Sequence, residues 1–370
     1  MTRHRLIFTV IFSILASAQA HAQDLVEQAL RIPMNEAGKK GLEAVMVRPN
    51  ELGPHPLAVL SHGTPREAEQ RPGMTPWGFI PQAREFARRG WATVVVMRRG
   101  YGDSGGGYNE DARACSGRAD YYDAGKESAK DLRATIAYLS TLPEVDASRI
   151  IAVGVSAGGF ATVALTDDPP PGLVAGISFA GGRGSMKPDE VCNSAQLVQT
   201  FSEFGKKSRI PMLWVYSDND HFFGPQIAAQ FFQAFSAAGG KATFIRAAAF
   251  RKDGHGLFSR VGIPIWTPMV DAFLSSQNLA LRTALLALPT PPDVDAPHEL
   301  SPGGREEFRT FLTMPPHKAF AVSAGGHYGY AFGRRTEKEA RKTAEDNCKD
   351  VAPAHDNCTV VATEESKSSN

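Results

Sequence analysis

Ile150-Ile151-Ala152-Val153-Gly154-Val155-Ser156-Ala157-Gly158-Gly159-Phe160-Ala161-Thr162-Val163-Ala164-Leu165 is the stretch from which the fold follows. Residues 150–155 make a continuous apolar run, the signature of a buried parallel strand, and residues 157–166 carry helical spacing. Between them lies Gly154-x-Ser156-x-Gly158. The glycines permit a sharp turn that lifts the serine off the strand end, and the N-terminus of the following helix favours negative charge beside it. Strand, serine and helix in this order predict an α/β sheet with Ser156 as a nucleophile at its C-terminal edge.

The same alternation extends in both directions. Apolar runs at 42–47, 56–60, 92–97, 174–179, 212–216 and 242–245 are expected strands. Segments 81–89, 120–140, 225–238 and 264–275 are expected helices; in the second, Ala129, Leu132, Ile136 and Leu139 recur three and four apart. The βαβ rhythm predicts a mostly parallel sheet flanked by helices. After Gln277 it changes to a short helix, a Pro-rich stretch at 289–292 and a second helix near 306–312, read as a linker. From His317 a new unit begins with alternating Phe320 and Val322, then Tyr328, Tyr330 and Phe332, then a helix opened by the capping box Thr336-x-x-Glu339. The expected division is a signal segment (1–22), an α/β domain (23–279), a Pro-rich helical linker (280–316) and a small C-terminal α+β domain (317–370).

A serine nucleophile needs a base and an acid that orients it, and in this architecture both follow the serine, acid first. Asp220 ends the strand in Trp214-Val215-Tyr216-Ser217-Asp218-Asn219-Asp220, and His255 lies in the loop Asp253-Gly254-His255-Gly256 after the next strand. Asp218 competes with Asp220 for the acid's role. An oxyanion needs two backbone N–H donors: one from Ala157, and one from the loop Ser61-His62-Gly63-Thr64-Pro65, where Pro65 has no N–H and Thr64 is the expected donor. His62 is expected to hold that loop rather than act as a base. Trp77, Phe79, Tyr121 and Tyr122 are candidate pocket walls, with core packing the equal alternative.

Two other motifs are decoys. Gly102-Asp103-Ser104-Gly105-Gly106 spells the nucleophile motif of chymotrypsin-like proteases, but too little chain precedes it for the two β-barrels such enzymes place there. Gly100-x-Gly102-x-x-Gly105 matches the dinucleotide fingerprint, but no helix follows to receive a pyrophosphate. A flexible loop over the sheet edge is the expected structure.

Composition narrows the function further. The 370 residues are 42% hydrophobic, with 40 Lys plus Arg against 39 Asp plus Glu. That balance excludes a binder of nucleic acid or anionic membrane driven by bulk charge. Arg3 and Arg5, the apolar run 6–18 and the small-x-small sites at Ala18, Ala20 and Ala22 read as an export signal. The run is shorter than the ~20 residues a spanning helix needs, so no membrane span is expected. In an oxidising compartment the four cysteines become candidate disulfides. Cys348 and Cys358 lie close in the C-terminal unit. Cys115 and Cys192 lie in two segments that leave the same sheet edge, where a bridge would tie a partial lid above Ser156. No Cys-x-x-Cys spacing suggests a metal, and no cofactor is expected.

His62-Gly63, Arg98-Arg99-Gly100-Tyr101-Gly102-x-Ser104, Gly154-x-Ser156-x-Gly158, Ser217-x-x-Asp220 and Gly254-His255 together resemble the α/β-hydrolase superfamily, with the nearest look to its dienelactone-hydrolase and prolyl-oligopeptidase-like branches. The likeness spans residues 41–276. It departs from dienelactone hydrolases in having serine where they use cysteine, which suits esters and peptides. The segment from His317 resembles small domains of exported bacterial proteins, a likeness that implies no activity. The export signal implies a periplasmic or secreted protein, and the resemblance implies a serine hydrolase acting on a small-molecule ester through an acyl-enzyme on Ser156. A serine peptidase is the catalytic alternative. The alternative of another class is a non-catalytic envelope-interaction protein that meets its partner through the C-terminal unit.

Overall fold

The computed structural model describes residues 24–363, so the expected signal segment lies outside the described residues. In chain order the large unit runs β1 (Leu25–Ile32), β2 (Leu42–Pro49), β3 (His55–Ser61), α1 (Ile80–Ala87), β4 (Ala92–Val96), α2 (Tyr121–Leu139), β5 (Val145–Val155), α3 (Ala157–Leu165), β6 (Leu173–Phe179), α4 (Ser194–Lys207), β7 (Met212–Ser217), α5 (Pro225–Ala237), β8 (Ala242–Ala247) and α6 (Ile263–Ser276). The C-terminal unit adds α7 (Pro302–Leu312), β9 (Ala319–Ser323), β10 (Tyr328–Ala331), α8 (Glu337–Lys349) and β11 (Cys358–Thr363).

Eight strands pair in the order β1-β2-β4-β3-β5-β6-β7-β8. The first two pairings are antiparallel and those from β4 through β8 parallel. Because side chains alternate across a strand, successive residues feed opposite faces. Leu57 and Val59 pack toward α2, α3 and α4, while Ala58 and Leu60 pack toward α1 and α6. Both faces are therefore covered, which is why these strands read as continuous apolar runs. Parallel β3 and β5 end together, Ser61 beside Gly154, so the loops that follow them share one edge.

Several elements differ from expectation. β1, an edge strand buried at its two ends, escaped the apolar-run criterion, and β5 begins at Val145 rather than at 150. The insertion after β6 contains α4, whose buried Leu197, Phe201 and Phe204 recur four and three apart. No helix forms directly after Gln277. That chain is an extended strap in which the Leu286 N–H donates to the Arg88 carbonyl at 3.0 Å and Arg88 Nε returns a bond to the Leu286 carbonyl at 3.0 Å. α7 is no linker helix: its Phe308 and Phe311 pack on Phe320 and Val322, covering one face of the three-stranded antiparallel sheet β10-β9-β11. α8 covers the other face with Ala340, Ala344 and Cys348. Its N-cap is the expected one, Thr336 Oγ1 accepting from the Glu339 N–H at 3.2 Å. The returning carboxylate accepts instead from the Arg335 N–H at 3.1 Å.

Cys115 is bonded to Cys192 and Cys348 to Cys358. Among the described residues no helix is long and apolar enough to cross a membrane. The first disulfide joins positions 77 residues apart, a closure worth ~4 kcal/mol in chain-entropy terms. A Cys115→Ser/Cys192→Ser variant should remain folded but melt roughly 5–10 °C below the oxidised protein by calorimetry.

Candidate active site

Ser156 stands between β5 and α3 with φ 55° and ψ −123°, a backbone conformation costly for a non-glycine residue and tolerated where surrounding packing enforces it. Its N–H donates to the Phe179 carbonyl at 2.9 Å and its carbonyl accepts from Gly182 at 3.2 Å. Neighbouring glycines are dictated by space. A Cβ on Gly158 would lie 2.2 Å from the Ser61 carbonyl oxygen, and one on Gly63 would lie 3.0 Å from Ser156 Cβ. The turn after β5 and the loop after β3 therefore touch directly.

His255 follows β8 in a short 3-10 turn (Gly254–Leu257) whose N–H donates to Asp253 Oδ1 at 2.9 Å. Its Nδ1 lies 3.1 Å from both carboxylate oxygens of Asp220. Asp220 is buried and accepts further from the Phe222 and Phe223 N–H groups at 2.8 and 2.9 Å. Phe222 stacks on the imidazole with centroids 3.9 Å apart, and the Arg66 guanidinium lies 3.6 Å over the Phe222 ring. Asp218, the competing acid, is exposed and pairs with Arg246. A second exposed pair, His221 with Asp189 at 2.9 Å, joins the loop after β7 to the insertion after β6.

Ser156, His255, Gly63 and Thr64 line one cavity of about 600 Å³, and Ser156, Ala157, Thr64 and Tyr108 line an adjoining one of about 330 Å³. Ala157 is the first residue of α3, where an N–H has no acceptor within the helix. The Thr64 N–H has no acceptor among the described residues, while Thr64 Oγ1 lies 2.6 Å from the Tyr101 hydroxyl. Cys115 and Ser156 line the same smaller cavity, so the 115–192 bridge stands at its rim. Of the aromatic candidates, Phe79 lines the larger cavity. Tyr121 and Tyr122 instead hydrogen-bond to the Cys192 carbonyl and to Asp167.

Beneath the loop after β3 lies a buried ionic network that the sequence did not disclose. Glu110 accepts from Arg98 Nε at 2.7 Å and Nη2 at 2.9 Å, pairs with Arg183 at 3.1 Å, and receives the Tyr101 and Ser128 hydroxyls. Burial alone would raise its carboxyl, but the Arg183 and Arg98 charges and these hydrogen bonds outweigh burial and hold it well below the usual carboxylate range. Arg98 also donates to the His62 carbonyl and to Ser61 Oγ, both at 2.7 Å. The arginine pair after β4 was the available signal; nothing local marked Glu110 or Arg183.

The decoy serine is structural. Ser104 Oγ donates to the Met97 carbonyl at 2.6 Å and accepts from the Glu43 N–H at 2.9 Å. Its loop is not followed by a helix until α2 at Tyr121.

His62 is fully enclosed, with Nδ1 2.6 Å from the Gly63 carbonyl and Nε2 accepting from the Arg98 N–H at 3.1 Å. The acceptor role of Nε2 requires the neutral ring, with its proton on Nδ1. Burial first, then the Arg98 charge, lowers its pKa from 6.5 to about 3. The unfolded chain takes up this proton below about pH 6.5 and the folded protein does not, so stability is undiminished above that pH and falls as pH drops toward 3. Urea denaturation between pH 7 and pH 4 should show this loss, and a His62→Asn variant should show a shallower one.

The family model for X-Pro dipeptidyl-peptidase (S15 family) matches residues 38–199. No curated protein matches. Among solved structures, a Klebsiella pneumoniae protein assigned as a dienelactone hydrolase is 15% identical, with 67% of this chain and 98% of that one covered at a TM-score of 0.47. A Pyrococcus furiosus esterase is 15% identical, covering 68% and 90% at 0.47. The Pyrococcus horikoshii acylaminoacyl peptidase is 18% identical, covering 72% and 44% at 0.49. The mostly parallel eight-stranded sheet with a serine at the turn between β5 and α3 is an α/β-hydrolase fold, and the similarity to the family model covers residues 38–199, under half of the chain.

Proposed function

We propose that the protein is an exported serine hydrolase that cleaves carboxylic esters through an acyl-enzyme on Ser156. The observation that carries this reading is the shared cavity: Ser156 and His255 line it together, and buried Asp220 holds His255 Nδ1. With its Nδ1 proton donated to Asp220, the imidazole presents a lone pair on Nε2. Nε2 takes the proton of Ser156 Oγ as that oxygen attacks the acyl carbon, and the carbonyl electrons move onto an oxyanion received by the Ala157 and Thr64 N–H groups. His255 then returns the proton to the departing alcohol as the C–O bond breaks. Water repeats the sequence, and the acid is released. Every proton and electron pair is accounted for by these residues. Two disulfides and the N-terminal segment with its signal-like composition support export.

A second reading has an observation of its own. The S15 match over residues 38–199 favours peptide hydrolysis, in which the same groups would expel an amine. Assaying p-nitrophenyl esters of increasing acyl length beside Ala-Pro p-nitroanilide separates the two: the ester reading expects turnover of short-chain esters exceeding that of the anilide, and the reverse order would transfer the assignment to a peptidase. On the better substrate, Ser156→Ala should cost ~10⁴-fold or more in kcat. Asp220→Asn should remove most activity. Asp218→Asn, whose carboxylate faces Arg246, should spare it.

A further inference from the structure

The C-terminal unit is not remote from the serine. The larger cavity, walled on one side by Thr64, Phe222 and His255, is closed on another by Arg334, Glu339 and Thr343, from the loop before α8 and its first turns. The smaller cavity holds Ser156 and Ala157 but neither His255 nor any residue of the C-terminal unit. This asymmetry has a chemical meaning that rests on the reading above. The base that takes the serine proton hands it to the departing group, so the leaving group departs on the His255 side. The acyl chain then takes the other cavity.

The wall is held in place. Arg335 Nη1 and Nη2 bind the two carboxylate oxygens of Glu43 at 2.7 and 2.6 Å, a bidentate pair, and Nη2 also donates to the Met74 carbonyl. Donating to the Glu43 carboxylate raises the Arg335 pKa further above its already high value. Thr75 Oγ1 donates to the Gly333 carbonyl at 2.5 Å, and a Cβ on Gly333, where φ is +60°, would lie 2.7 Å from the Gly78 nitrogen. A second clamp joins Arg260 to Glu307 at 2.9 Å and to the Tyr330 hydroxyl, and a third sends Arg84 Nη1 to the Thr313 carbonyl at 2.8 Å. One bidentate ion pair, a second ion pair and several hydrogen bonds therefore fix the C-terminal unit against the large unit.

We infer that the C-terminal domain is the leaving-group wall of the active site and selects substrates whose departing alcohol is extended and rich in hydrogen-bond acceptors. Arg334 is exposed and has no carboxylate partner among the described residues, and Arg66 on the opposite wall bonds only to the Ser185 carbonyl and hydroxyl and the His221 carbonyl. Both guanidiniums keep donors for a ligand. Thr343 stands farther along α8, where an extended alcohol would pass it and a compact one would not reach.

The test uses two esters with one acyl group and chemically similar leaving alcohols, methyl butyrate and triethylene glycol monobutyrate, followed by pH-stat with the full chain. The wild type is expected to turn over both and to prefer the glycol ester. Arg334→Ala and Thr343→Trp are each expected to lower the ratio of kcat/KM for the glycol ester to that for methyl butyrate roughly 10-fold, through KM for the glycol ester. Unchanged rates on both esters in both variants, or equal losses on both, would overturn the inference while leaving the serine-hydrolase reading intact. Turnover of neither ester by the wild type would overturn both, and turnover of methyl butyrate alone would overturn the inference only. Arg334 has an exposed side chain with no partner to lose, so a folding failure confined to Thr343→Trp leaves the Arg334→Ala comparison decisive.

Discussion

The buried ion pair between Arg98 and Glu110 is the interaction on which the site depends. It joins three loops that leave the same sheet edge: Arg98 and Glu110 lie after β4, Arg183 comes from the loop after β6, and the carbonyl and hydroxyl that Arg98 also binds belong to His62 and Ser61 after β3. A buried pair of this kind contributes little net stability against well-packed apolar residues, whereas removing one partner strands the other charge at about 3–5 kcal/mol. Its value here is positional. With both guanidiniums satisfied on one carboxylate, the loop carrying Gly63 and Thr64 has one place to lie, against Ser156.

A second node sits at the sheet margin. Glu43 on β2 accepts from Asp103 at 2.8 Å, gives its own N–H to Ser104, and receives the Arg335 fork. The glycine-rich loop with two misleading motifs is thus the connector between the sheet and the C-terminal domain. Its glycines have a steric reason, since a Cβ on Gly102 would meet Arg335 Nη2 at 2.5 Å. The place of the Gly63–Thr64 loop beside Ser156 and the seating of the C-terminal unit both follow from how loops after neighbouring strands are tied at one edge, where α/β sheets bind ligands.

What could be read from the chain beforehand follows the range of the forces involved. The turn at Ser156 was legible because its constraints are local: an apolar strand, two glycines that leave no room for a side chain, and a helix. Asp220 and His255 were legible because strand ends are marked by apolar runs, and the two cysteine pairs because their segments leave a common edge or lie close in sequence. α4 has a readable period in Leu197, Phe201 and Phe204, but it is too short a signal to stand out between two strong strands. Edge strand β1 and late strand β11 lack continuous apolar runs because one face of each is only partly covered. Glu110, Arg183 and the Glu43–Arg335 clamp had no local signature. Each is an ordinary charged residue until the fold brings its partner from far along the chain, and the seating of the C-terminal domain depends on such pairs.

The proposal that Ser156 is an activated nucleophile served by His255 and Asp220 is tested by intact-mass analysis and peptide mapping after exposure to a fluorophosphonate probe. One stoichiometric adduct is expected, on the peptide containing Ser156, lost in Ser156→Ala and slowed severely in His255→Ala. No adduct on the folded protein, or an adduct on Ser104 in its place, would contradict it.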